Sequence, residues 1–558
     1  MILPLLVIGG LALRIWGIKG DLPYTYYGDE NYLIYHSLKF GAGDFNPHWF
    51  VWPTFYPYLL FFLFAGFYIL GHMLNLFKNS YDFLYLYFKD PTVFFLIGRS
   101  VSAVLGAGSI VLTYFIAAKF YEKKTALLSA AFFAFLPLAV EYSHYAVVDT
   151  SLVFMMLLTF LYITKVFLGG RKIDYILSGF FLGLAIATKY PAVFLIAPLL
   201  LAHILNVKNN IAKIIFCPKI MLALFFTMAG FVLACPFSIL DSRQFMSDMN
   251  LTAFAAKVGW FGWEKNNPYF YHLKNNLNGA LGPALLIVSG IGIFYAIWRR
   301  KKTDLILFVF MIVYFLGIGW NVSAYGRFML PLLPLFCVFG AKGFWEIEPF
   351  LFVKGKPGRI AEVVLALALL FYPLAQSIKI DLNFLLPDTR TLAKDWIEKN
   401  IPAHSAILAN VAGPPLTQSP EKIRIDALAK PAEELKYSYH KKRDFFYQVQ
   451  EDAAGGSINY EISYLHHPIA AFEGKPGYER LMAQTNAAIV DFNTRYDFVV
   501  ISQALIDKLM QYPRGSIPAR YQHLRDFYGN IFNNYIPVKV FEAEKNISKG
   551  HRIMVYKL

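Results

Sequence analysis

Long apolar runs recur along this chain and stop near residue 378. They cover residues 2–18, 94–119, 125–142, 148–168, 174–189, 190–206, 220–240, 281–298, 304–320, 328–346 and 360–378. A helix rises 1.5 Å per residue, so about 20 such residues cross a hydrocarbon layer about 30 Å thick. The pattern predicts a polytopic α-helical membrane protein with about 11 spans, two of them forming a pair broken at Lys189-Tyr190-Pro191. One further run, 55–77, is apolar enough to cross, yet counting it upsets the alternation of the loops. With Trp49, Trp52, Phe55, Tyr56 and Tyr58 around its start, it is expected as a re-entrant or interfacial helix within the first outer loop.

Beyond residue 380 the pattern becomes that of a soluble domain, the change being placed at Asp381. Residues 392–400 have helical periodicity and end at Ile401-Pro402, while 406–409, 498–501 and 553–556 read as short buried strands. Helices such as 503–511 fall between them. The division expected is therefore a membrane domain, 1–379, whose residues 19–93 form the first outer loop, and a small α/β domain, 380–558. No glycine-rich phosphate fingerprint follows these strands, so no nucleotide site is expected.

Composition agrees: 57% of residues are hydrophobic, 18% aromatic and only 16% charged, where soluble domains carry about 25% charged residues. A net charge of +15 raises the question of nucleic acid, but the distribution of the cations answers it. They cluster between apolar runs, at Glu122-Lys123-Lys124, Arg171-Lys172, 208–219, Arg299-Arg300-Lys301-Lys302 and 354–359. Short basic loops mark the cytoplasmic side, so nucleic acid is not an expected partner and the bilayer is. Residues 19–93, 142–147, 241–280, 321–327 and everything past 379 then face outwards, giving a multi-pass protein of the plasma or inner membrane with an extracytoplasmic tail. The loop 241–280 carries Trp260, Trp263, Tyr269, Tyr271 and His272, which fits an interfacial belt or a sugar platform. The three cysteines, Cys217, Cys235 and Cys337, lie in or beside apolar runs, leaving no disulfide framework for the tail. The first run lacks a basic start and is expected to be retained as a span.

The charged residues on the outer side gather in a few places. Asp29-Glu30 is flanked by four tyrosines, Tyr24, Tyr26, Tyr27 and Tyr32, just after the first span. Carboxylates at a membrane boundary are costly without water or a partner. Asp29 reads either as a catalytic base or as a cap of a short helix after Gly28. Neighbouring helical residues point about 100° apart, so Glu30 cannot aim at the same atom and would orient or solvate its neighbour. In the second outer turn, His144-Tyr145-Ala146-Val147-Val148-Asp149 offers either a second acidic site residue or a cap for the next helix. Arg99, Lys189 and Arg327 lie at outer span ends, where each alone could snorkel to headgroups. Together they would make an anion site, because the guanidinium fork suits phosphate. Asp388-Thr389-Arg390, at the start of the tail, reads as structural. No zinc helix, Asp-x-Asp pair or nucleophile elbow is present.

Several of these segments fall in a familiar order: Gly28-Asp29-Glu30, Tyr56-Pro57-Tyr58-Leu59, Gly98-Arg99-Ser100-Val101-Ser102-Ala103, and Ser143-His144-Tyr145-Ala146-Val147-Val148-Asp149. They continue with Gly183-Leu184-Ala185-Ile186-Ala187-Thr188-Lys189-Tyr190, Arg327-Phe328-Met329-Leu330-Pro331-Leu332-Leu333-Pro334, and Asp388-Thr389-Arg390 with Trp396-Ile397. The set resembles protein O-mannosyltransferase-like membrane glycosyltransferases of the GT-C fold, a group that includes the lipid A aminoarabinose transferases. The resemblance implies an inverting transfer from a polyprenyl-phosphate monosaccharide to an acceptor hydroxyl, with no metal or other cofactor. It implies Asp29 as the catalytic base with Glu30 beside it, Asp149 as the second acid, and Arg99 on the donor phosphate with Lys189 and Arg327 in support. His144, Tyr145, Tyr27, Tyr56 and Tyr325 are the expected substrate contacts. The implied partners are the lipid-linked donor and a lipid, glycan or protein acceptor.

Two other functions fit a polytopic protein with this profile. A lipid-linked sugar flippase should show repeats and mid-span charges, whereas here the charges gather on one face. A ligase or polymerase using a diphosphate-linked donor should place paired arginines in a large late loop, whereas here the carboxylates come first.

Overall fold

The computed structural model describes residues 2–207, 216–259, 266–351, 359–428, 442–466, 476–504, 506–511 and 519–558. Trp260, Trp263 and the basic stretches at 208–215 and 354–358 lie outside the described residues. Each of the apolar runs folds as helix. In chain order these and the loop helices are α1 (Ile2–Ile15), α2 (Gly28–Lys39), α3 (Phe55–Met73), α4 (Ser80–Lys89), α5 (Thr92–Phe120), α6 (Lys123–Ala134), α7 (Pro137–Ser143), α8 (Val148–Leu168) and α9 (Lys172–Thr188). They continue as α10 (Ile196–Val207), α11 (Pro218–Ala234), α12 (Ser242–Val258), α13 (Pro283–Arg299), α14 (Lys302–Gly319), α15 (Leu333–Leu351) and α16 (Arg359–Phe384). Among the described residues, seven helices are long and apolar enough to cross a membrane, or nine if two bent pairs each count as one span.

The sequence explains the breaks. The expected span 125–142 is two helices, α6 and α7, bent by 58° where Pro137 occupies the first turn of α7, a place that tolerates its missing N–H. The expected pair after 174 breaks as predicted. Lys189 is extended, and a 3-10 turn over Tyr190–Leu195 leads into α10. Helix α9 lies directly on α11, because Gly179 and Gly183 present bare backbone there. A Cβ on Gly183 would come within 2.3 Å of the Thr227 carbonyl oxygen, the close approach that small residues permit between membrane helices.

The last membrane helix runs past the expected boundary, through Asp381 to Phe384. Asp381 is fully buried, 3.5 Å from the His144 ring and within electrostatic reach of Arg14 on α1. The helix carrying it therefore extends beyond residue 379, the expected end of the membrane domain.

The tail has a five-stranded sheet: β1 (Ala406–Asn410), β2 (Glu461–Leu465), β3 (Phe498–Ser502), β4 (Lys539–Phe541) and β5 (Ile553–Lys557), in the order β2-β1-β3-β5-β4. β1 pairs in parallel with β2 and β3, and β5 pairs antiparallel with β3 and β4. The three predicted strands are β1, β3 and β5, the ones with continuous burial. The two unpredicted strands are sheet edges with broken burial patterns. Helix α17 (Thr389–Asn400) packs Ala393 and Ile397 on one face of the sheet, against Ile407, Val500 and Val555. On the other face Tyr521, Leu524 and Tyr528 cover Leu408, Val499 and Tyr556.

The tail also settles against the first loop. Helix α18 (Arg443–Gly455) lies on α4, and residues 445–447 share a cavity with Phe61, Phe64, Ala65 and Tyr68 from the middle of α3. Helix α3 is long and apolar enough to cross a membrane, yet residues from its middle share that cavity with the tail.

Candidate active site

Helix α2 begins at Gly28 and divides its two acidic residues between two faces. Glu30 lies on the inner stripe with Leu33, Ile34, Ser37 and Leu38. It is fully buried and receives a bidentate pair from Arg99, with Nε and Nη2 each 2.9 Å from a carboxylate oxygen. The Ala146 amide donates to the same carboxylate at 2.8 Å. The remaining Arg99 nitrogen, Nη1, donates to the carbonyls of Ile18 and Gly20, both at 2.8 Å. Every polar group of this pair is thus engaged within the protein. The expectation that Arg99 takes the donor phosphate does not fit this geometry, nor does a direct chemical part for Glu30. The pair instead ties the exit of α1, the start of α2, α5 and the second outer turn into one unit.

Asp29 faces the other way and is 27% exposed. Its carboxylate is ion-paired with Nη1 of Arg327, which also donates to the Tyr27 hydroxyl at 2.6 Å. The Arg327 Nε is buried and has no hydrogen-bond partner, and its guanidinium lies 4.9 Å over the Tyr325 ring. Tyr27 stacks on Tyr145 with ring centres 4.4 Å apart, and its hydroxyl is 3.5 Å from that of Tyr142. Burial pushes the Tyr27 phenol up against the pull of Arg327, so it stays protonated. Asp149, in the first turn of α8, is paired at 2.7 Å with Lys189 from the break after α9. Lys189 also lies 5.8 Å over the Phe328 ring. Tyr27 and Arg327 both feel the charges of Asp29 and Asp149, so the two pairs form one electrostatic cluster.

The capping alternative is resolved by these positions. The residues before α2 and α8 are Tyr27 and Val147, and neither helix has a side-chain cap. Asp29 and Asp149 gain from the positive end of each helix, but their carboxylates are directed at cations from distant elements.

Two expected substrate contacts are not in the cluster. Both ring nitrogens of His144 lie 2.9 Å from carbonyl oxygens, those of Val140 and Trp16, and the ring is fully buried. Tyr56 is also fully buried, its hydroxyl donating to Gly98 O at 3.3 Å. Each is held by its own helix junction and reaches no open surface. His272 likewise is buried, its ring bonded to Asn276, and belongs to neither a belt nor a platform.

Sequence reasoning missed Tyr142 and the way the tail holds the site. Asp388 caps α17 and clamps Arg390 at 2.7 and 2.8 Å. That guanidinium lies 3.7 Å over Tyr26, whose hydroxyl is 2.6 Å from Thr391 Oγ1. Lys549 pairs with Asp21 at 3.0 Å. The segment leading to Asp29 is therefore fastened on one side by Arg99 and on the other by the tail, as the structural reading of Asp388-Thr389-Arg390 anticipated. Among the described residues, no group of three His, Cys, Asp or Glu could hold a metal ion.

Residues 95–264 match the family model for dolichyl-phosphate-mannose-protein mannosyltransferase, a segment containing Arg99, Asp149 and Lys189 but not Asp29 or Arg327. No curated protein sequence matches the chain. ArnT from Cupriavidus metallidurans in the apo state aligns over 99% of this chain and 97% of its own, with a TM-score of 0.52 and 12% identity. ArnT bound to undecaprenyl phosphate aligns over the same shares with a TM-score of 0.50 and 12% identity. The oligosaccharyltransferase of Archaeoglobus fulgidus, tethered to an acceptor peptide, aligns over 90% of this chain and 69% of its own, with a TM-score of 0.50 and 13% identity. The helices, the soluble tail and the cluster at their junction thus belong to a multi-pass membrane protein with the fold of the GT-C glycosyltransferases, similar over 95–264 to the mannosyltransferase family.

Proposed function

We propose that the chain moves a monosaccharide from a polyprenyl-phosphate-linked donor to an acceptor hydroxyl on the extracytoplasmic face, with inversion and with Asp29 as general base. The observation that carries this reading is the pairing of a partly exposed carboxylate with Arg327, whose Nε is a buried donor without a partner. A polar group left unsatisfied in a buried position calls for a ligand, and phosphate suits the planar guanidinium. ArnT, which shares the fold, is described bound to undecaprenyl phosphate.

In the reaction the acceptor oxygen bonds to the anomeric carbon while its proton passes to Asp29. The bond from that carbon to the phosphate oxygen breaks, and its electron pair leaves with the phosphate. Arg327 and Lys189 face the charge developing on the leaving group, which is the differential stabilisation that speeds such steps. A phosphate that engages Arg327 also relieves the guanidinium of Asp29 and frees the carboxylate for the acceptor. Asp29 and Asp149 each already face a cationic side chain, which fits transfer without a metal. Glu30 and Arg99 position the base and touch no substrate.

Membranes containing wild type or Asp29→Asn, given a panel of radiolabelled polyprenyl-phosphate sugars, test the reading. The expected result is label transfer by wild type alone, since a positioned base contributes about 10²–10⁴-fold. Near-normal transfer by a folded Asp29→Asn protein overturns the assignment of the base. Lipid scrambling in liposomes without transfer from any donor overturns the transferase.

A further inference from the structure

A second site lies away from the cluster, between the first loop and the tail. A cavity of about 320 Å³ is walled by Phe61, Phe64 and Ala65 of α3, by Phe83 of α4, and by Phe445 and Phe446 of α18. Its size falls within the range of small-ligand pockets. The roof is fixed rather than casual. Phe446 meets Tyr35 at 5.5 Å and Phe88 at 4.9 Å, Tyr81 donates to Asp452, and Lys89 donates to Gly456 O and Ser457 Oγ at 3.1 and 2.9 Å. The lining includes two cations, Lys39 and Lys442, and no acidic residue among the described residues. Lys39 is ten residues beyond Asp29 on α2, about 15 Å along the helix, so the cavity is separate from the chemistry above.

A neighbouring face of α3 exposes Phe62, Ile69, Leu70 and Met73, apolar side chains of the kind a lipid layer covers. The cavity is therefore apolar inside, with two lysines on its lining and an exposed apolar helix face beside it. We propose that it takes up an acyl chain of an anionic phospholipid from the leaflet on the tail side, with the headgroup set against Lys39 and Lys442. The hydrophobic effect favours burying the chain between Phe64 and Phe446, and the lysines select the anionic headgroup. The bound lipid becomes part of the joint between α3 and α18 and seats the tail on the membrane. This site stands whether or not the transferase reading holds.

The test uses the full-length protein in phosphatidylcholine vesicles carrying a trace of a phospholipid with a diazirine on its acyl chain. The probe is made once as phosphatidylglycerol and once as phosphatidylcholine. Peptides containing residues 445–447 belong to the soluble tail, so bulk bilayer cannot label them. We expect these peptides to be labelled in wild type, more by the phosphatidylglycerol probe than by the phosphatidylcholine probe. Ala65→Trp, which fills the cavity, is expected to abolish that label while leaving label near Ile69 and Leu70 unchanged. Lys442→Glu is expected to remove the preference for phosphatidylglycerol. No label at 445–447 in wild type, or equal label from both probes, overturns the proposal without recourse to any variant. Label there only from a polyprenyl-phosphate diazirine probe also overturns it, by assigning the cavity to the donor.

Discussion

Replacing Arg99 with Met separates its structural part from the phosphate-binding part that its motif suggests. The change removes both charge-assisted bonds to Glu30 and the two bonds to the Ile18 and Gly20 carbonyls. It leaves a fully buried carboxylate held only by the Ala146 amide. Breaking a buried ion pair from one side costs about 3–5 kcal/mol, which is roughly two to nearly four decades in the folded-to-unfolded ratio. Removing both partners is far less costly when the space is refilled, so Glu30→Gln with Arg99→Met should recover most of the loss. The assay pairs thermal unfolding of the detergent-purified protein with transfer kinetics on the fraction that remains folded. Arg99→Met is expected to melt well below wild type, with the KM for donor little changed among folded molecules. The double variant should melt between the two, the non-additivity expected of residues in direct contact. An Arg99→Met protein that melts like wild type but has a sharply raised donor KM would refute this reasoning and return Arg99 to the phosphate.

Other substitutions divide along the same line between chemistry and scaffold. Arg327→Met should lower kcat/KM for the lipid donor by about 10²-fold or more, the scale of losing one well-placed donor to developing charge, with a smaller shift in melting than Arg99→Met. Asp149→Asn removes the charge opposite Lys189 and leaves that cation nearly buried, so both turnover and melting temperature should fall; unchanged melting would show that Lys189 finds another partner. Gly183→Leu forces α9 from α11, since even a Cβ would reach the Thr227 carbonyl oxygen; about 1–3 kcal/mol of overpacking should appear as a lower melting temperature with normal donor KM. Arg390→Ala removes the guanidinium over Tyr26 and should speed protease cleavage near residues 20–27 and lower kcat, while leaving the tail itself folded.

The architecture was legible where one local signal decides it. The membrane-domain helices follow from runs of apolar residues, though only seven to nine of the expected 11 spans reach crossing length among the described residues. The break at Lys189 follows from Pro191, and the strands β1, β3 and β5 from continuous apolar burial. Signals that depend on a distant partner were not legible. Asp381 looked like the start of a soluble segment because the sequence does not show that Arg14 and His144 converge on it. Strands β2 and β4 escaped because edge strands bury only part of their residues. Tyr56 and His144 looked like substrate contacts because a polar aromatic group near a membrane surface can face either a ligand or a helix junction.

The exchange of roles between Arg99 and Arg327 has a cause that the sequence of α2 does contain. Glu30, Leu33, Ile34, Ser37 and Leu38 recur at the 3–4-residue spacing of one helical face, and all five are buried. Asp29, Tyr32, His36 and Lys39 recur on the other. A carboxylate on the apolar stripe must find a cation of its own, because an unpaired buried charge is too costly to keep. The cation must come from a span end at the same depth, and Arg99, seven residues into α5, is such a residue. Once Arg99 is committed to Glu30, the basic groups left for Asp29 and a phosphate are those whose pairing leaves a donor unsatisfied, and Arg327 with its orphaned Nε is one. The helical phase of two adjacent acidic residues therefore commits one arginine to the scaffold and leaves the other beside Asp29, available for the chemistry proposed above.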